Sequence, residues 1–251
     1  MIKQIPPPSM ASRAANDLRK AIRQGLYSVE GRLPPEPVLS QQLGVSRGTT
    51  REAVAILEQE GFLYRRQGAG TFVLRALSGL TNNLNANFGV TEVIVAAGKT
   101  PGTIGILVSE QGADAQMARS LGLARGDPVI RIDRTRTANA SPVAHTRDFL
   151  SRALLKAHGL ETVQIDSVLN ANQSLYDTLR DKGIVVRHGV AELTPVAIDG
   201  LLAKALEIAP GTLLFRIDQV DYDRDGQPVL LSVEHLVAGA FTAQVYRRGP
   251  G

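Results

Sequence analysis

The chain has 251 residues, 43% of them hydrophobic and 21% charged, with a formal net charge of +4 and neither cysteine nor tryptophan. This composition excludes collagen-like, low-complexity and disulfide-stapled classes, and no stretch approaches the roughly 20 apolar residues of a membrane span. The opening residues MIKQIPPPSMASR lack the apolar core of a secretory signal, which with the absence of cysteine points to a cytoplasmic protein without membrane partners.

The charge is unevenly spread. Residues 1–75 hold 11 Lys and Arg against 6 Asp and Glu, a balance of +5, whereas residues 76–251 hold 17 against 18, a balance of −1. A basic module joined to a near-neutral one is the electrostatic footprint of polyanion binding, although small basic domains are also common.

In chain order, RAANDLRKAIRQG places Leu18, Ala21 and Ile22 on one helical face, with Gly25 as a stop. GRLPPEPVLSQQLG reads as a turn and a short helix carrying Val38, Leu39 and Leu43, ended by Gly44. A third helix starts at Ser46, a good N-cap, and runs to about Glu60 with Ala53, Val54 and Leu57 inward and Gly61 closing it. FLYRRQGAGTFVL then gives two strand-like runs, Phe62–Arg65 and Thr71–Leu74, about a glycine-containing loop. Three helices and a hairpin make a winged helix-turn-helix domain, residues 1–75. The Asn-, Ser- and Gly-rich stretch 76–90 reads as a linker.

Residues 91–251 alternate strand-like and helix-like segments, and they repeat. Ala118, Leu121, Gly126, Arg131, Ile132 and Asp133 recur as Ala203, Leu206, Gly211, Arg216, Ile217 and Asp218; Pro142-Val143 recurs one residue out of step as Pro228-Val229. Two copies of helix, glycine turn, strand, turn, strand imply one α+β domain of two pseudo-symmetric halves around an antiparallel sheet. A cleft between the halves is a natural ligand site.

The third helix opens with Ser46, Arg47, Gly48, Thr49, Thr50 and Arg51, a run that core packing has no use for. In helix-turn-helix proteins the second helix of the motif enters the major groove N-terminus first. Arg47 and Arg51, at i and i+4, suit guanine O6 and N7, the threonines suit a phosphate, a base or a thymine methyl, and Gly48 lets the backbone approach. The hairpin tip adds Arg65, Arg66, Gln67 and Gly68, which suit phosphates or a minor groove.

The segment 31–73, GRLPPEPVLSQQLGVSRGTTREAVAILEQEGFLYRRQGAGTFV, resembles the DNA-binding domain of the GntR family of bacterial repressors, with its L-G-V-S-R-x-T-V-R-x-A-L and G-x-G-T-F-V patterns. Position by position, the resemblance puts Arg47, Thr49, Thr50, Arg51, Gln67 and Gly68 at DNA. Pro35 and Pro37 depart from the pattern; many members have a DNA-touching Arg at the place of Pro37. Residues 91–248 resemble the effector domain of the HutC branch (UTRA, chorismate-lyase-like), through RIDRTRTANASPVA, SLYDTLRDKGI and AKALEIAPGTLLFRIDQVDYDRDGQPV.

That second resemblance implies a cleft for a small, anionic effector, with Arg134, Arg136, Arg147, Ser174 and Tyr176 as candidate contacts; Arg187 and His188 are further candidates beside the Ser-Leu-Tyr helix. Each arginine could equally be a surface ion-pair partner. The carboxylate that many members carry shortly after the first Pro-Val is replaced by Thr146, followed by Arg147 and Asp148, which argues against effectors that need an acid there.

No catalytic, cofactor or metal signature emerges. GVSRG fits a nucleophile-elbow pattern but follows a helix and caps another, GAGTFV opens no helix, and the four histidines have no metal-ligand spacing. The expectation is a homodimeric regulator of a palindromic operator, winged helix-turn-helix plus antiparallel-sheet domain, in which a small molecule modulates repression. The alternative is an enzyme of chorismate-lyase-like fold carrying a DNA-binding head.

Overall fold

The computed structural model describes residues 9–23, 26–27, 31–73, 80–84, 87–160, 174–198 and 200–245. Gly25 and Leu74, expected to end the first helix and the hairpin, lie outside these, as do residues 76–79 and 85–86 of the expected linker. Two compact units are present: 1–87 with 96–98 and 242–251, and 88–95 with 99–241.

The first unit contains α1 (Met10–Arg23), α2 (Glu36–Leu43), α3 (Arg47–Gln59) and the hairpin β1 (Leu63–Arg66) and β2 (Gly70–Val73). Its core joins Leu18 of α1, Leu39 of α2, and Ala53, Val54 and Leu57 of α3 to Leu63 and Val73 of the hairpin. Leu18 of α1 and Ala53, Val54 and Leu57 of α3 are buried as expected, whereas Ala21 and Ile22 are only partly buried; on α2 Leu39 is buried while Val38 is 43% exposed. Gly61, at φ +72°, closes α3: its N–H donates to Glu58 O and the N–H of Phe62 to Leu57 O, a Schellman pair that only a left-handed residue completes cheaply. Arg19 Nη2 meets Glu60 Oε2 at 2.6 Å, tying α1 to the end of α3.

The stretch before α2 is more than a turn. Leu33 N–H donates to Thr71 O and Val73 N–H to Gly31 O, so Arg32 forms an isolated antiparallel bridge to Phe72 of β2. Within the segment expected as a linker, β3 (Leu80–Asn83) pairs with the late strand β10 (Phe241–Gln244).

The second unit is built on a six-stranded antiparallel sheet. Its strands are β4 (Pro101–Gly112), β5 (Pro128–Ala138), β6 (Ser141–Ser151), β7 (His188–Ala197), β8 (Leu213–Tyr222) and β9 (Pro228–Val237), in the order β4-β5-β6-β9-β8-β7. The order is a palindrome of the two repeats, β4-β5-β6 facing β9-β8-β7, so the pseudo-two-fold runs between β6 and β9. The equivalence extends to detail. Gly126 and Gly211 both turn at positive φ, +88° and +84°. Ala118 and Leu121 of α5 (Ala115–Leu121) are buried like Ala203 of α8 (Gly200–Ala205) and Leu206 just after it.

Strand alternation gives the sheet two different faces. One carries Ile130, Ile132, Leu150 and Leu230 under Leu155 of α6 (Arg152–Ala157) and Leu175 and Leu179 of α7 (Leu175–Asp181). The other carries Val129, Phe149 and Leu231 under α5 at one end, and Leu214, Val196 and Val237 under α8 at the other. Among the described residues no helix is long and apolar enough to cross a membrane.

Leu57 is fully enclosed and Val38 is not, so their truncations should differ. Leu57→Ala is expected to cost about 2–5 kcal/mol and Val38→Ala no more than about 0.5 kcal/mol, read from urea unfolding followed by circular dichroism. Equal effects would contradict the packing described.

Candidate functional site

The face at the start of α3 is set by its cap. Ser46, in extended conformation, accepts from Thr49 N–H at 3.1 Å, and its hydroxyl lies 2.8 Å from that of Thr49. The helix therefore begins at Arg47, which is exposed, as are Gly48 and Arg51. A Cβ at Gly48 would meet only Ser46 Oγ at 3.8 Å, so internal packing does not demand the glycine. Thr50 is placed otherwise than expected: it is 0% exposed and its hydroxyl donates to Ser46 O. It stands three, four and seven residues before Ala53, Val54 and Leu57, on the buried stripe.

At the hairpin tip Arg65, Arg66, Gln67 and Gly68 are exposed. Arg65 Nε lies 3.3 Å from Glu58 of α3, and Arg66 stands over the Phe72 ring at 5.6 Å. Between this tip and the start of α2 runs a groove of about 400 Å³, open to solvent and lined by Arg32, Glu36, Arg65, Arg66 and Gln67 among others. Exposed cations beside a helix N-terminus are features that suit phosphates and base edges.

The second site is a small cavity of about 20 Å³ on the α6–α7 face of the sheet. Arg134 and Arg136 of β5 reach it, with Thr146 and Asp148 of β6 and Leu230, Ser232 and Glu234 of β9. Gly89, Val90 and Thr91 close one side, and Ser174, Leu175 and Tyr176 another. Val90 and Thr91 open the short helix α4 (Val90–Ala96).

The two arginines are treated differently. Arg134 Nη2 donates to Asp148 Oδ2 at 2.8 Å, and Ser232 Oγ donates to the other oxygen at 2.7 Å. Arg136 is 1% exposed, yet its partners are hydroxyls, Thr103 and, at 2.5 Å, Thr91. Among the described residues no carboxylate lies within ion-pair distance of it. Burial, then the neighbouring Arg134, pulls the Arg136 guanidinium down to about 10. Arg134 Nε and Thr146 Oγ1 are buried with no hydrogen-bond partner among the described residues. Unsatisfied buried groups of this kind are costly unless something binds there.

The cavity also has an acidic side. Glu234 stands directly across from Thr146 in the β6–β9 register. Burial, reinforced by Asp148 and Asp221, pushes its carboxyl up to about 8. Tyr176 donates to Asp221 at 2.8 Å, and burial together with Asp221 raises its hydroxyl well above the ordinary range. Asp221 and Gln219, which also bonds Tyr176, are the repeat equivalents of Arg136 and Arg134.

Arg134, Arg136, Ser174 and Tyr176 are thus brought together; Arg147, Arg187 and His188 are outside the cavity lining. Arg147 points to the opposite face, where its Nε meets Asp133 at 2.8 Å. There Arg131 also binds Asp133, and Arg216 binds Asp218 at 2.7 Å, the same ion pair in both repeats. Burial opposes ionisation of Asp133, but hydrogen bonds from His145, Arg131 and Arg147 hold its carboxyl well below the usual range. His188 is exposed on β7 and stacks on Tyr222 at 5.1 Å; Arg187 is also exposed. Sequence reasoning missed Thr91, Ser232 and Glu234 as lining residues. The repeat was a usable signal for Glu234, because it is the equivalent of Asp148. Among the described residues no group of acidic and histidine side chains is arranged to hold a metal ion.

Comparison with known proteins recognises two domains in the chain. Residues 10–73 match the bacterial regulatory proteins of the gntR family, and residues 96–242 match the UTRA domain. A curated relative, the HTH-type transcriptional repressor NagR of Bacillus subtilis, is 30% identical over 236 residues, 89% of this chain and 88% of its own. The crystal structure of the possible transcriptional regulator YydK from Bacillus subtilis shares the fold with a TM-score of 0.71 at 17% identity, over 94% of this chain and 100% of that one. The structure of PhnF from Mycobacterium smegmatis does so with a TM-score of 0.57 at 24% identity, over the same shares.

The raised carboxyl of Glu234 gives a signed pH effect. Between its unfolded value near 4.5 and about 8 the native state keeps a proton that the unfolded chain has released, so this group's contribution to stability falls as pH rises. His235, held down to about 4 by burial and by Arg216, acts only below about pH 6.5. Urea unfolding from pH 6.5 to 8 should therefore show a decline in wild type that Glu234→Gln flattens; an unchanged slope in the variant would contradict the assignment.

Proposed function

Since the chain belongs to the GntR family of bacterial regulatory proteins, with a UTRA domain following its helix-turn-helix domain, it is a transcriptional regulator, and we propose that it is a repressor released from operator DNA by a small anionic metabolite. The pairing of these two domains is consistent with the HutC branch. In this reading a homodimer binds a two-fold-symmetric operator, each α3 entering the major groove of one half-site. Arg47 and Arg51 read guanine, Ser46, Gly48 and Thr49 let the helix start approach a phosphate, and Arg65, Arg66, Gln67 and Gly68 track the neighbouring backbone or minor groove. Thr50 serves the fold.

The observation that carries the ligand half is Arg136, a guanidinium 1% exposed whose partners among the described residues are hydroxyls. An anionic group seated against Arg136, the free Nε of Arg134 and Thr146 Oγ1 completes what the protein leaves unmet. Glu234, whose carboxyl burial pushes up to about 8, offers a hydrogen bond to another oxygen of the same ligand, so an acid absent from position 146 is supplied by the next strand. Release follows by linkage: a ligand that binds the operator-free form better lowers operator affinity, and the operator lowers ligand affinity by the same factor.

Two experiments test the reading. With an operator selected by the protein from random duplexes, Arg47→Ala and Arg51→Ala should each reduce the ratio of selected to random binding by about tenfold at matched salt; wild-type ratios in both would remove the assignment of α3. Against a panel of small phosphates, sulfonates and carboxylates, a compound that raises the melting temperature should also displace operator, and Arg136→Gln should abolish its shift. A shift undiminished in that variant would move the ligand elsewhere, and a silent panel would favour a ligand-independent DNA-binding protein.

A further inference from the structure

Arg51 is exposed, its side chain 66% accessible, and yet it is engaged. Its Nη2 lies 3.0 Å from Glu36 Oε2 and its Nε 3.4 Å from Glu36 Oε1, so the carboxylate occupies the Nε side of the guanidinium. The bridge spans the helix-turn-helix motif from the first residue of α2 to the first turns of α3. Glu36 stands between Pro35 and Pro37, two rings that restrict the backbone on either side of it. Its carboxyl is held below the usual range chiefly by the hydrogen bond to Arg51, with Arg47 and Arg65 adding through space.

Stability does not account for this arrangement. Exposed ion pairs contribute little, and fixing two long side chains costs rotamer freedom. A carboxylate among three cations on a surface for phosphates also repels DNA. Resting on the reading of α3 as the groove-entering helix, we propose that Glu36 is a positioning residue for base recognition by Arg51. It holds the Nε side of the guanidinium so that the opposite, Nη end is presented to the groove. It also offsets Arg51's charge, so that the arginine adds base discrimination more than sequence-blind attraction to phosphates. With Pro37 in the place where many GntR members have an arginine, discrimination rests more heavily on this oriented side chain.

The test compares Glu36→Gln, Arg51→Ala and the double variant of the full chain on selected and random duplexes over a salt series, with melting temperatures to confirm folding. Glu36→Gln is expected to bind random duplex as tightly as wild type or tighter, with a steeper salt dependence, while its selected-to-random ratio falls about fivefold or more. The double variant should be no less selective than Arg51→Ala alone, because the two residues act as one unit. A Glu36→Gln protein with wild-type selectivity, beside an Arg51→Ala protein that has lost it, would overturn the positioning role and leave the reading of α3 standing. Wild-type selectivity in both would overturn the two together.

Discussion

The register between β6 and β9 is the constraint on which the cavity depends. Thr146 faces Glu234 and Asp148 faces Ser232 across that pairing. A slip of one residue would turn one strand's set to the opposite face, among Arg147, His145 and His235. Asp148 would then leave Arg134 without its counter-charge and Ser232 without its acceptor. The repeat helps to fix the register, since Pro142-Val143 and Pro228-Val229 open equivalent strands on either side of the pseudo-axis. Beyond this, the sheet separates two kinds of charge. On one face arginines 131, 147 and 216 are partly exposed and held by Asp133 and Asp218; on the other, of the two buried arginines, Arg134 is the one that pairs with Asp148.

That contrast carries the functional argument. A buried guanidinium is tolerated when its hydrogen bonds and charge are met. Arg134 is met in part by Asp148, and Arg136 by hydroxyls that satisfy donors without cancelling charge. The opposite arrangement holds in the helix-turn-helix unit, where the cations are exposed and the buried stripe of α3 is uncharged. The same chain thus carries exposed cations in one unit and enclosed ones in the other, the contrast on which the proposed function rests.

Local rules made much of this legible. Gly44 and Gly61, the cap at Ser46 and the i, i+3, i+4 spacing of Ala53, Val54 and Leu57 are signals within a few residues of one another. The repeat carried the two-halved antiparallel sheet in the same way. Alternation along β5 put Arg134 and Arg136 on one face. Thr50 was misplaced because the run Arg47–Arg51 was read as one exposed block, although its own spacing to Val54 and Leu57 marks it as inward. Glu234 was within reach of the repeat as the equivalent of Asp148, whereas Arg147 needed the cross-strand register, which depends on pairings many residues apart. For the same reason the pairing of β3 with β10 was hidden in a stretch whose composition suggests a linker.

Anomalous diffraction from crystals grown with selenate tests the central claim most directly. The account predicts a selenium peak within hydrogen-bond distance of Arg136 and the Nε of Arg134, with Thr146 beside it. A well-ordered cavity free of selenate, with the anion bound instead among Arg131, Arg147 and Arg216 on the opposite face, would contradict it.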